Sequence, residues 1–190
     1  MATTHKILLF GKAGSGKDTQ ADLLAARLGL VNLSMGGILR AEVAGGSKTG
    51  KKIAHYLERG EIIPHDIGPR LMRSHVLEET TQRSGYVVSG FPRTLDSFQT
   101  YLAFDAPTAL VVLHVPDEVA RDRLIARRRH DDYEEAINKR LELFREVDEQ
   151  TIAWAKTHTA IPVFEVNGAL SVKHVHKTIL EMVSESFTKE

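Results

Sequence analysis

Ten residues near the start of the chain could bind a phosphate. From Gly11 to Gln20 they read Gly-Lys-Ala-Gly-Ser-Gly-Lys-Asp-Thr-Gln. Gly11, Gly16 and Lys17 fill the frame Gly-x4-Gly-Lys, whose glycines let backbone N–H groups turn inward around an anion. Lys17 would add a mobile positive charge, and a helix that begins near it would add the positive end of its dipole. These residue types at this spacing predict a nucleotide-binding loop.

The loop departs from the simplest form of this motif at one position. Asp18 stands where Ser or Thr is usual, and a hydroxyl follows one residue later at Thr19. A carboxylate in the first turn of a helix interacts favourably with the helix dipole, which is the simplest interpretation of Asp18. For the segment as a whole, the alternative to nucleotide binding is a glycine turn with an exposed lysine.

The residues on either side of the loop supply the strand and the helix that must position it. The apolar run Ile7 to Phe10 precedes the loop and is typical of a buried strand. After the loop, Ala21, Leu24, Ala25 and Leu28 recur at the i, i+3, i+4 and i+7 spacing of one helical face. A strand, a glycine-rich turn and a helix in this order are the context that a phosphate-binding loop requires.

The rest of the chain alternates short apolar runs with amphipathic helical stretches, a pattern typical of a parallel sheet covered by helices on both faces. Strands are predicted near residues 6–10, 30–33, 86–89, 109–115 and 161–166. Helices are predicted over residues 17–28, 36–45, 48–59, 65–81, 94–103, 117–128, 133–156 and 171–186. The stretch from about 34 to 85 contains only helices and is predicted to be an excursion from the sheet. Pro162 places the last strand at an edge or starts it.

Length and composition indicate one ordinary globular domain. The 190 residues are 42% apolar and 26% charged, and Lys plus Arg equal Asp plus Glu at 25 each, so no net charge would attract nucleic acid or a membrane. The lack of cysteine excludes disulfides and thiolate metal sites. The opening Met-Ala-Thr-Thr-His-Lys leads directly into the first strand, and no apolar stretch is long enough to cross a bilayer. A cytoplasmic monomer without a signal peptide is therefore expected.

Three further segments carry groups that suit nucleotide chemistry. These are Leu33-Ser34-Met35-Gly36-Gly37-Ile38-Leu39-Arg40, Ser89-Gly90-Phe91-Pro92-Arg93-Thr94, and Arg129-His130-Asp131-Asp132 followed by Lys139-Arg140-Leu141. Together with the loop at Gly11, they resemble, in the same order and over nearly the whole chain, the adenylate kinase family of nucleoside monophosphate (NMP) kinases. The resemblance implies an α/β fold, a P-loop three-layer αβα sandwich with a five-stranded parallel sheet. It also implies a single domain over residues 1–190, with a helical NMP-binding excursion at about 34–64 and a short lid at about 127–135.

This resemblance implies reversible transfer of the γ-phosphoryl group from Mg·ATP to an NMP, with AMP as the expected acceptor and two ADP as products. Mg²⁺ would be the cofactor, and the partners would be small nucleotides rather than nucleic acid or a membrane. Two alternatives stay open. The chain could be a pyrimidine nucleotide kinase or another small-molecule kinase, or a nucleotide-binding regulator that has lost catalysis.

The resemblance also assigns roles to single residues, with Arg123 as a candidate for stacking on the base of ATP. The residues implied to bind ATP are Gly14, Ser15, Gly16, Lys17, Asp18, Thr19, Arg123, Arg127 and Leu170. The residues implied to bind the NMP are Met35, Arg40, Glu61, Ile62, Ile63, Gly90, Phe91, Pro92, Arg93, Ser97, Arg129 and Arg140. The implied catalytic residues are Lys17, Arg93, Arg129 and Arg140. Thr19 would contact Mg²⁺ together with the substrate phosphates.

Arginines suit these roles because a planar guanidinium binds two phosphate oxygens through parallel hydrogen bonds. Arg140 lies three residues after Ile137 within an apolar helical face, and an arginine directed to the interior needs an anion. The alternative is an ion pair with Asp131 or Asp132, or a side chain that reaches to solvent. For the run Arg127 to Arg129, the alternative is a solvated helix end.

Four positions depart from the family pattern, and all belong to the expected site. Ser89 and Gly37 stand where the family usually has Asp. The absence of these two Asp carboxylates weakens the hold on the waters around Mg²⁺. Asp18 could replace one of the two carboxylates. Met35 and Ser97 stand where adenylate kinases have the Thr and Gln that read adenine. The sequence therefore leaves the base of the acceptor open.

The lid is shorter than is usual in the family, because only Arg128 separates Arg127 from Arg129. A short lid excludes less water from the site. Hydrolysis of ATP in competition with phosphoryl transfer is therefore expected.

Overall fold

The computed structural model describes residues 4–187, with side chains as far as residue 184. Five strands form one sheet: β1 (Lys6–Phe10), β2 (Val31–Ser34), β3 (Tyr86–Ser89), β4 (Ala109–His114) and β5 (Val163–Asn167). All pairs are parallel, and the order is β2-β3-β1-β4-β5. The predicted five-stranded parallel sheet is confirmed, and Pro162 immediately precedes an edge strand as expected. Residues 1–3, which open the N-terminal run, and 188–190, which end the predicted domain, lie outside the described residues.

Helices fill the connections between the strands and follow the last one. They are α1 (Lys17–Leu28), α2 (Met35–Ala44), α3 (Lys48–Glu58), α4 (Ile67–Val76), α5 (Glu79–Ser84), α6 (Leu95–Leu102), α7 (Asp117–Arg127), α8 (Glu134–Leu143), a π-helical turn (Phe144–Asp148), α9 (Glu149–His158) and α10 (Val172–Phe187). Helices α2 to α5 form the excursion between β2 and β3. Within residues 4–187, no helix has both the length and the apolar character needed to span a membrane.

Successive residues of the central strand point to opposite faces of the sheet, and different helices cover each face. In β1, Leu8 and Phe10 belong to a core with residues of α2, α4, α6 and α9, whereas Ile7 and Leu9 belong to a core with residues of α1 and α10. All four side chains are at most 3% exposed. The run is continuously apolar because both faces are buried, which confirms the αβα sandwich.

Helix α9 packs against α6 through aromatic contacts. The ring of Trp154 meets Phe98 of α6 edge-on, with centroids 6.1 Å apart, and stacks on His158 at 4.8 Å. Ile152 and Ala155 of the same helix are buried in the core below. These contacts hold α9, and with it the π-helical turn that precedes it, against α6.

Two predicted helices differ from the observed ones, and the other elements agree to within two residues. The predicted helix 65–81 is two helices, α4 and α5. The side chain of Gln82 donates from Nε2 to the carbonyl of Val76 at 2.7 Å, which satisfies a carbonyl at the end of α4. The predicted helix 133–156 is interrupted between α8 and α9 by the π-helical turn, which contains one extra residue per turn.

The carboxyl ends of the parallel strands meet at one edge of the sheet, where open α/β sheets bind ligands. In the register of the sheet, Leu9 of β1 and Ser34 of β2 both lie opposite Ser89 of β3. The glycine-rich loop, α2 and the turn that begins at Gly90 therefore start side by side. The sequence motifs converge on this edge.

Candidate active site

The glycine-rich loop runs from β1 into α1, which begins at Lys17 as expected. Gly14 must be glycine, because its φ is +81° and a Cβ there would lie 2.3 Å from the carbonyl oxygen of Ala120 in α7. The loop thus packs directly against α7. The hydroxyl of Ser15 is buried and makes no hydrogen bond to the described residues. A buried polar atom without a partner is suited to receive a ligand.

Lys17 extends from the first turn of α1 into a cavity at the carboxyl edge of the sheet. Its Nζ donates to the carbonyl oxygen of Lys12 over 3.4 Å. Burial lowers the pKa of Lys17, and the neighbouring carboxylate of Asp18 opposes that change. An ammonium group with this little access to water interacts strongly with a bound phosphate.

Asp18 interacts with more than the helix dipole. One of its carboxylate oxygens accepts a hydrogen bond from the hydroxyl of Ser89 at 2.8 Å. Burial alone would raise the pKa of Asp18, but Lys17 and the Ser89 hydroxyl outweigh burial and lower the pKa below its usual value. The chain therefore places an ionised carboxylate at the carboxyl end of β3, although β3 itself ends in serine.

The cavity encloses about 240 Å³ and has two kinds of wall. The cationic wall consists of Lys17, Arg40, Arg93, Arg127, Arg129 and Arg140. The apolar wall consists of Met35, Leu39, Ile62, Ile63, Pro69 and Phe91. Further lining residues are Asp18, Glu61, Gly90, Pro92 and Ser97. The structure thus brings together every residue that the sequence assigned to the NMP, along with three of those assigned to ATP.

Arg127 and Arg140 pair with the two consecutive aspartates that follow α7, and both contact Asp132. Arg127 donates to Asp132 from Nε at 2.8 Å and from Nη2 at 2.6 Å. Arg140, whose side chain is 14% exposed, donates to Asp132 at 3.0 Å, to Asp131 at 2.5 Å and to the carbonyl of Leu57 at 3.3 Å. The ion pair that was the alternative prediction for Arg140 is present, with both Asp131 and Asp132 as partners. Contact of Arg140 with a phosphate stays a prediction.

Arg40 and Arg129 have no carboxylate partner among the described residues. Burial, and next to it the positive charge of Arg129, lower the pKa of Arg40. The two guanidinium groups are therefore within electrostatic reach of each other. Asp131 and Asp18 act on the pKa of Arg40 in the opposite direction without forming an ion pair with it, so the positive charge of the two arginines is only partly balanced, which favours the binding of an anion. This pair is the strongest candidate for a phosphate site in the cavity.

Part of the apolar wall is formed by close contacts around two glycines. Met35 and Phe91 are 4% and 5% exposed. A Cβ on Gly68 would lie 3.5 Å from the ring of Phe91 and 3.8 Å from Ile63, and a Cβ on Gly90 would lie 3.8 Å from Met35. Because glycine has no side chain, Phe91 and Ile63 pack close to the backbone of Gly68, and Met35 packs close to that of Gly90. The wall offers a packing surface for a flat ring such as a base.

The hydroxyl of Ser97 forms hydrogen bonds within the N-terminal cap of α6. It accepts from the backbone N–H of Thr94 at 3.1 Å and donates to the Thr94 carbonyl at 2.8 Å. The Thr94 hydroxyl in turn accepts from the N–H of Ser97 at 3.2 Å, which completes a capping box. Ser97 lines the cavity, yet its hydroxyl can reach a base only by opening the end of the helix.

The other residues assigned to ATP do not line this cavity; they are Gly14, Ser15, Gly16, Thr19, Arg123 and Leu170. Arg123 donates from Nη1 to the carbonyl of Gly168 at 3.0 Å and to those of Gly14 and Ser15 at 3.4 Å. Arg123 therefore braces the glycine-rich loop against the turn after β5. Leu170 is 44% exposed in that same turn. The contact of these residues with ATP stays a prediction.

One charged residue of the cavity, Asp148, was missed from the sequence. It accepts from Arg93 Nε at 3.3 Å and from Nη2 at 3.0 Å. Burial raises the pKa of Asp148, and Arg93 opposes this only in part. A signal for it exists: Ile137, Leu141 and Phe144 form a buried helical face that position 148 continues. An acid on such a face needs a cationic partner.

Comparison with known proteins gives a consistent result. A family model described as "Adenylate kinase" matches residues 9–160. The adenylate kinase of Synechococcus sp. (strain RCC307) is 35% identical over 190 residues, which cover 97% of each chain. Adenylate kinase isoenzyme 1 of Cyprinus carpio is 30% identical over 184 residues, or 94% of each chain. The "Probable adenylate kinase 2, chloroplastic" of Oryza sativa subsp. japonica is 34% identical over 127 residues, which cover 65% of this chain and 43% of the rice protein.

The region that the family model matches contains the glycine-rich loop and the whole cationic wall. Two of the relatives align over nearly their full length, so the similarity extends well beyond a shared phosphate-binding motif. The chain belongs to the adenylate kinase family.

Proposed function

We propose that this protein is an adenylate kinase, which transfers the γ-phosphoryl group of ATP to the 5′-phosphate of AMP and yields two ADP. The observation that carries the proposal is the pair Arg40 and Arg129, which have no carboxylate partner within residues 4–187 and line the same cavity as Lys17. Lys17 belongs to a phosphate-binding loop and the arginine pair does not, so two phosphates would meet in one cavity. The relatives, each named an adenylate kinase, support this choice of donor and acceptor.

Phosphoryl transfer requires a donor and an acceptor held in line, and positive groups that spread the charge of the transferring group. We assign the donor phosphates to the loop from Gly14 to Thr19, and the transferring group to Lys17. Arginines of the cationic wall would hold the acceptor phosphate and stabilise the developing charge, namely Arg40, Arg93, Arg129 and Arg140. Neither a covalent intermediate nor a strong general base is required.

We assign residues 34–64 to an NMP-binding excursion and residues 127–135 to a short lid. Arg140 supports a link between the two. From α8, directly after the lid, it donates to both lid aspartates and to the carbonyl of Leu57 near the end of α3. Movements of the lid and of the excursion would therefore be coupled through one side chain.

Mg²⁺ is proposed to act with ATP. This cation prefers oxygen ligands and usually keeps several waters, and the residues present fit it. The Thr19 side chain is exposed on α1, and the ionised carboxylate of Asp18 beside it is oriented by Ser89. Thr19 would hold the ion together with the phosphates, and Asp18 would bind its waters in place of the carboxylates absent at Ser89 and Gly37. The bound ion would neutralise phosphate charge.

AMP is the proposed principal acceptor, and one observation favours a wider range as a second candidate. Met35 has no hydrogen-bonding side chain, and the hydroxyl of Ser97 is bonded within the cap of α6. The two side chains expected to read the base thus do not offer it hydrogen bonds. Selection by fit and packing discriminates weakly between substrates of similar size. An NMP kinase that also accepts CMP or UMP would have such a site.

We further propose that the protein acts as a monomer in the cytoplasm. The balanced charge supports a protein that binds neither nucleic acid nor a membrane surface through its net charge. A regulator without catalysis is the less favoured alternative, since Lys17 and all the assigned arginines are present in the cavity.

A transfer assay with Mg·ATP and a panel of monophosphates (AMP, CMP, UMP and GMP) tests these proposals. Formation of ADP with AMP, and little product with the other acceptors, would support the first candidate. Comparable transfer to CMP or UMP would support the second. Binding of ATP and AMP without any transfer would contradict the enzymatic proposal and favour the regulator.

A further inference from the structure

Arg93 is held by a buried carboxylate, although its assigned partner is a phosphate. Asp148 accepts from Arg93 through both carboxylate oxygens, at 3.3 Å from Nε and 3.0 Å from Nη2. The side chain of Asp148 is 8% exposed and that of Arg93 is 27% exposed. The carboxylate is thus enclosed, whereas part of the guanidinium stays open to the cavity.

The contact occupies one edge of the guanidinium. Nε and Nη2 face Asp148, and Nη1 of Arg93 makes no hydrogen bond to the described part of the chain. A guanidinium is a rigid planar fork, so fixing one edge also fixes the direction of the other. Arg93 lines a cavity that Lys17 and Arg129 also line, so its unbonded Nη1 edge is the one available to a ligand there.

The same stretch of helix holds the backbone of Arg93. The hydroxyl of Thr151, which is fully buried, lies 3.2 Å from the carbonyl oxygens of both Arg93 and Val147 and donates its single proton to one of them at a time. Asp148 is the last residue of the π-helical turn, and Thr151 follows three residues later in α9. Such turns shift the phase of a helix by one residue and are frequent at functional sites. This helical segment therefore contacts Arg93 at two points: Asp148 binds its side chain and Thr151 contacts its backbone.

We propose that Asp148 is a positioning residue that holds Arg93 with its Nη1 edge toward the acceptor phosphate. This inference rests on the proposed function, because it concerns the acceptor side of the same site. Asp148 acts only through Arg93 and does not itself touch the substrate. Without it, Arg93 could meet the phosphate in several orientations, and loss of alignment slows transfer.

A purely structural ion pair would behave differently. Loss of a purely structural pair would lower the unfolding temperature and affect the kinetics for AMP and ATP alike. Asp148→Asn keeps the shape of the carboxylate and one acceptor oxygen for Arg93, but it no longer fixes the guanidinium through two hydrogen bonds. A positioning role therefore predicts a selective effect on AMP.

The first test compares Asp148→Asn with the unaltered protein and with Glu149→Gln, which neutralises an exposed acid at the next position. In Asp148→Asn we expect kcat/KM for AMP to fall about 10- to 100-fold, chiefly through a higher KM for AMP. The KM for ATP should stay unchanged, and Glu149→Gln should match the unaltered protein throughout. If the amide is not tolerated by the fold, Asp148→Ser provides the same comparison.

The second test asks whether Asp148 acts through Arg93. Arg93→Lys keeps the charge but removes the planar fork, so adding Asp148→Asn to it should change kcat/KM by less than about threefold. Losses that multiply in the double variant would overturn the inference, as would unchanged AMP kinetics in Asp148→Asn. Calorimetric titration with AMP makes the same comparison at the level of binding. It keeps the inference testable if the protein binds AMP without transfer, a result that contradicts only the proposed function.

Discussion

Counter-charges decide which arginines of the cavity can reach a phosphate. Arg93, Arg127 and Arg140 each face a carboxylate of the chain, so a phosphate must share these guanidinium groups. Arg40 and Arg129 form no ion pair with a carboxylate within residues 4–187, although Asp131 and Asp18 act on Arg40 from farther away. An incoming acceptor phosphate would therefore gain most from Arg40 and Arg129, while the paired arginines contribute their remaining edges.

Lys17→Ala should lower kcat by about 10²- to 10³-fold, comparable to the loss of one electrostatic contact in a transition state. The reason is that Lys17 is assigned to the transferring group and lies in a buried setting. Steady-state kinetics with Mg·ATP and AMP measure the effect. Lys51→Ala, which removes an exposed lysine of α3, is the control and should keep full turnover. Turnover near normal in Lys17→Ala would refute the assignment.

The sequence predicts which residues enter the cavity better than it predicts their partners. Lys17 and Arg40 follow recognisable local motifs, so the fold alone brings them to the edge of the sheet. The bond between Asp18 and Ser89 joins residues 71 positions apart, and no local pattern encodes such a contact. The ion pairs of Arg140 could be named in advance because its partners lie eight and nine positions away on the same segment.

At the level of elements, short continuous apolar runs made the strands predictable, and the apolar periodicity of α1 made that helix predictable. The π-helical turn could not be found in this way, because its residues include neither Pro nor Gly and continue the buried face of α8. The end of α4 was missed for another reason. It depends on a side-chain hydrogen bond from Gln82, which competes with continuation of the helix and has no periodic signature.

Ser97→Ala should weaken the cap of α6 without altering the choice of acceptor. Loss of the reciprocal hydrogen bonds with Thr94 should lower the free energy of unfolding by about 1 kcal/mol. Urea unfolding measures that loss, and Ser74→Ala, which removes an exposed hydroxyl from α4, is the control. The order of preference among AMP, CMP and UMP should stay the same. A changed order would show that the Ser97 hydroxyl reads the base.

The segment proposed as the lid is short. Between α7 and α8 it has no helix or strand of its own, and Arg128 turns the chain with a left-handed φ of 54°. We expect slow release of phosphate from Mg·ATP in the absence of any acceptor, because water is not fully excluded. Lys17→Ala should abolish this release, which controls for a contaminating ATPase. Release at the level of the Lys17→Ala control would remove the hypothesis.

Over the whole molecule, the candidate site and a second polar network lie at opposite ends of the sheet. Asp105 accepts hydrogen bonds from Lys6 at 2.5 Å and from Gln82 and Tyr86 at 3.0 Å. Lys6 and Tyr86 open β1 and β3 at the amino edge, away from the glycine-rich loop. The network ties these strands to α5 and to the segment after α6. Stability and catalysis should thus be separable by mutation.

Asp105 should contribute to the pH dependence of stability. Burial alone would raise the pKa of Asp105, but hydrogen bonds from Lys6, Gln82 and Tyr86 lower it below its usual value. A carboxyl with a lower pKa in the folded protein stabilises the fold above its unfolded pKa of about 3.9. That stabilisation is lost as the pH falls through the folded pKa.

Asp105→Asn should therefore flatten the decline of the unfolding free energy below about pH 4. At pH 7, Asp105→Asn should also lower the free energy of unfolding by about 1–3 kcal/mol, because hydrogen bonds to a charged group are lost. Urea unfolding from pH 7 to pH 3 measures both effects, with the exposed Asp122→Asn as control. The KM values for AMP and ATP should not change. An undiminished acid dependence in Asp105→Asn would contradict this role.

Trp154 is the only tryptophan of the chain, and it lies in α9, six residues after Asp148. Its indole is wedged between Phe98 and His158. The molecule therefore contains a built-in fluorophore between its core and the helical segment that contacts Arg93. The wavelength of its emission reports whether α9 is docked on α6, so intact protein and each variant can be compared optically without any label.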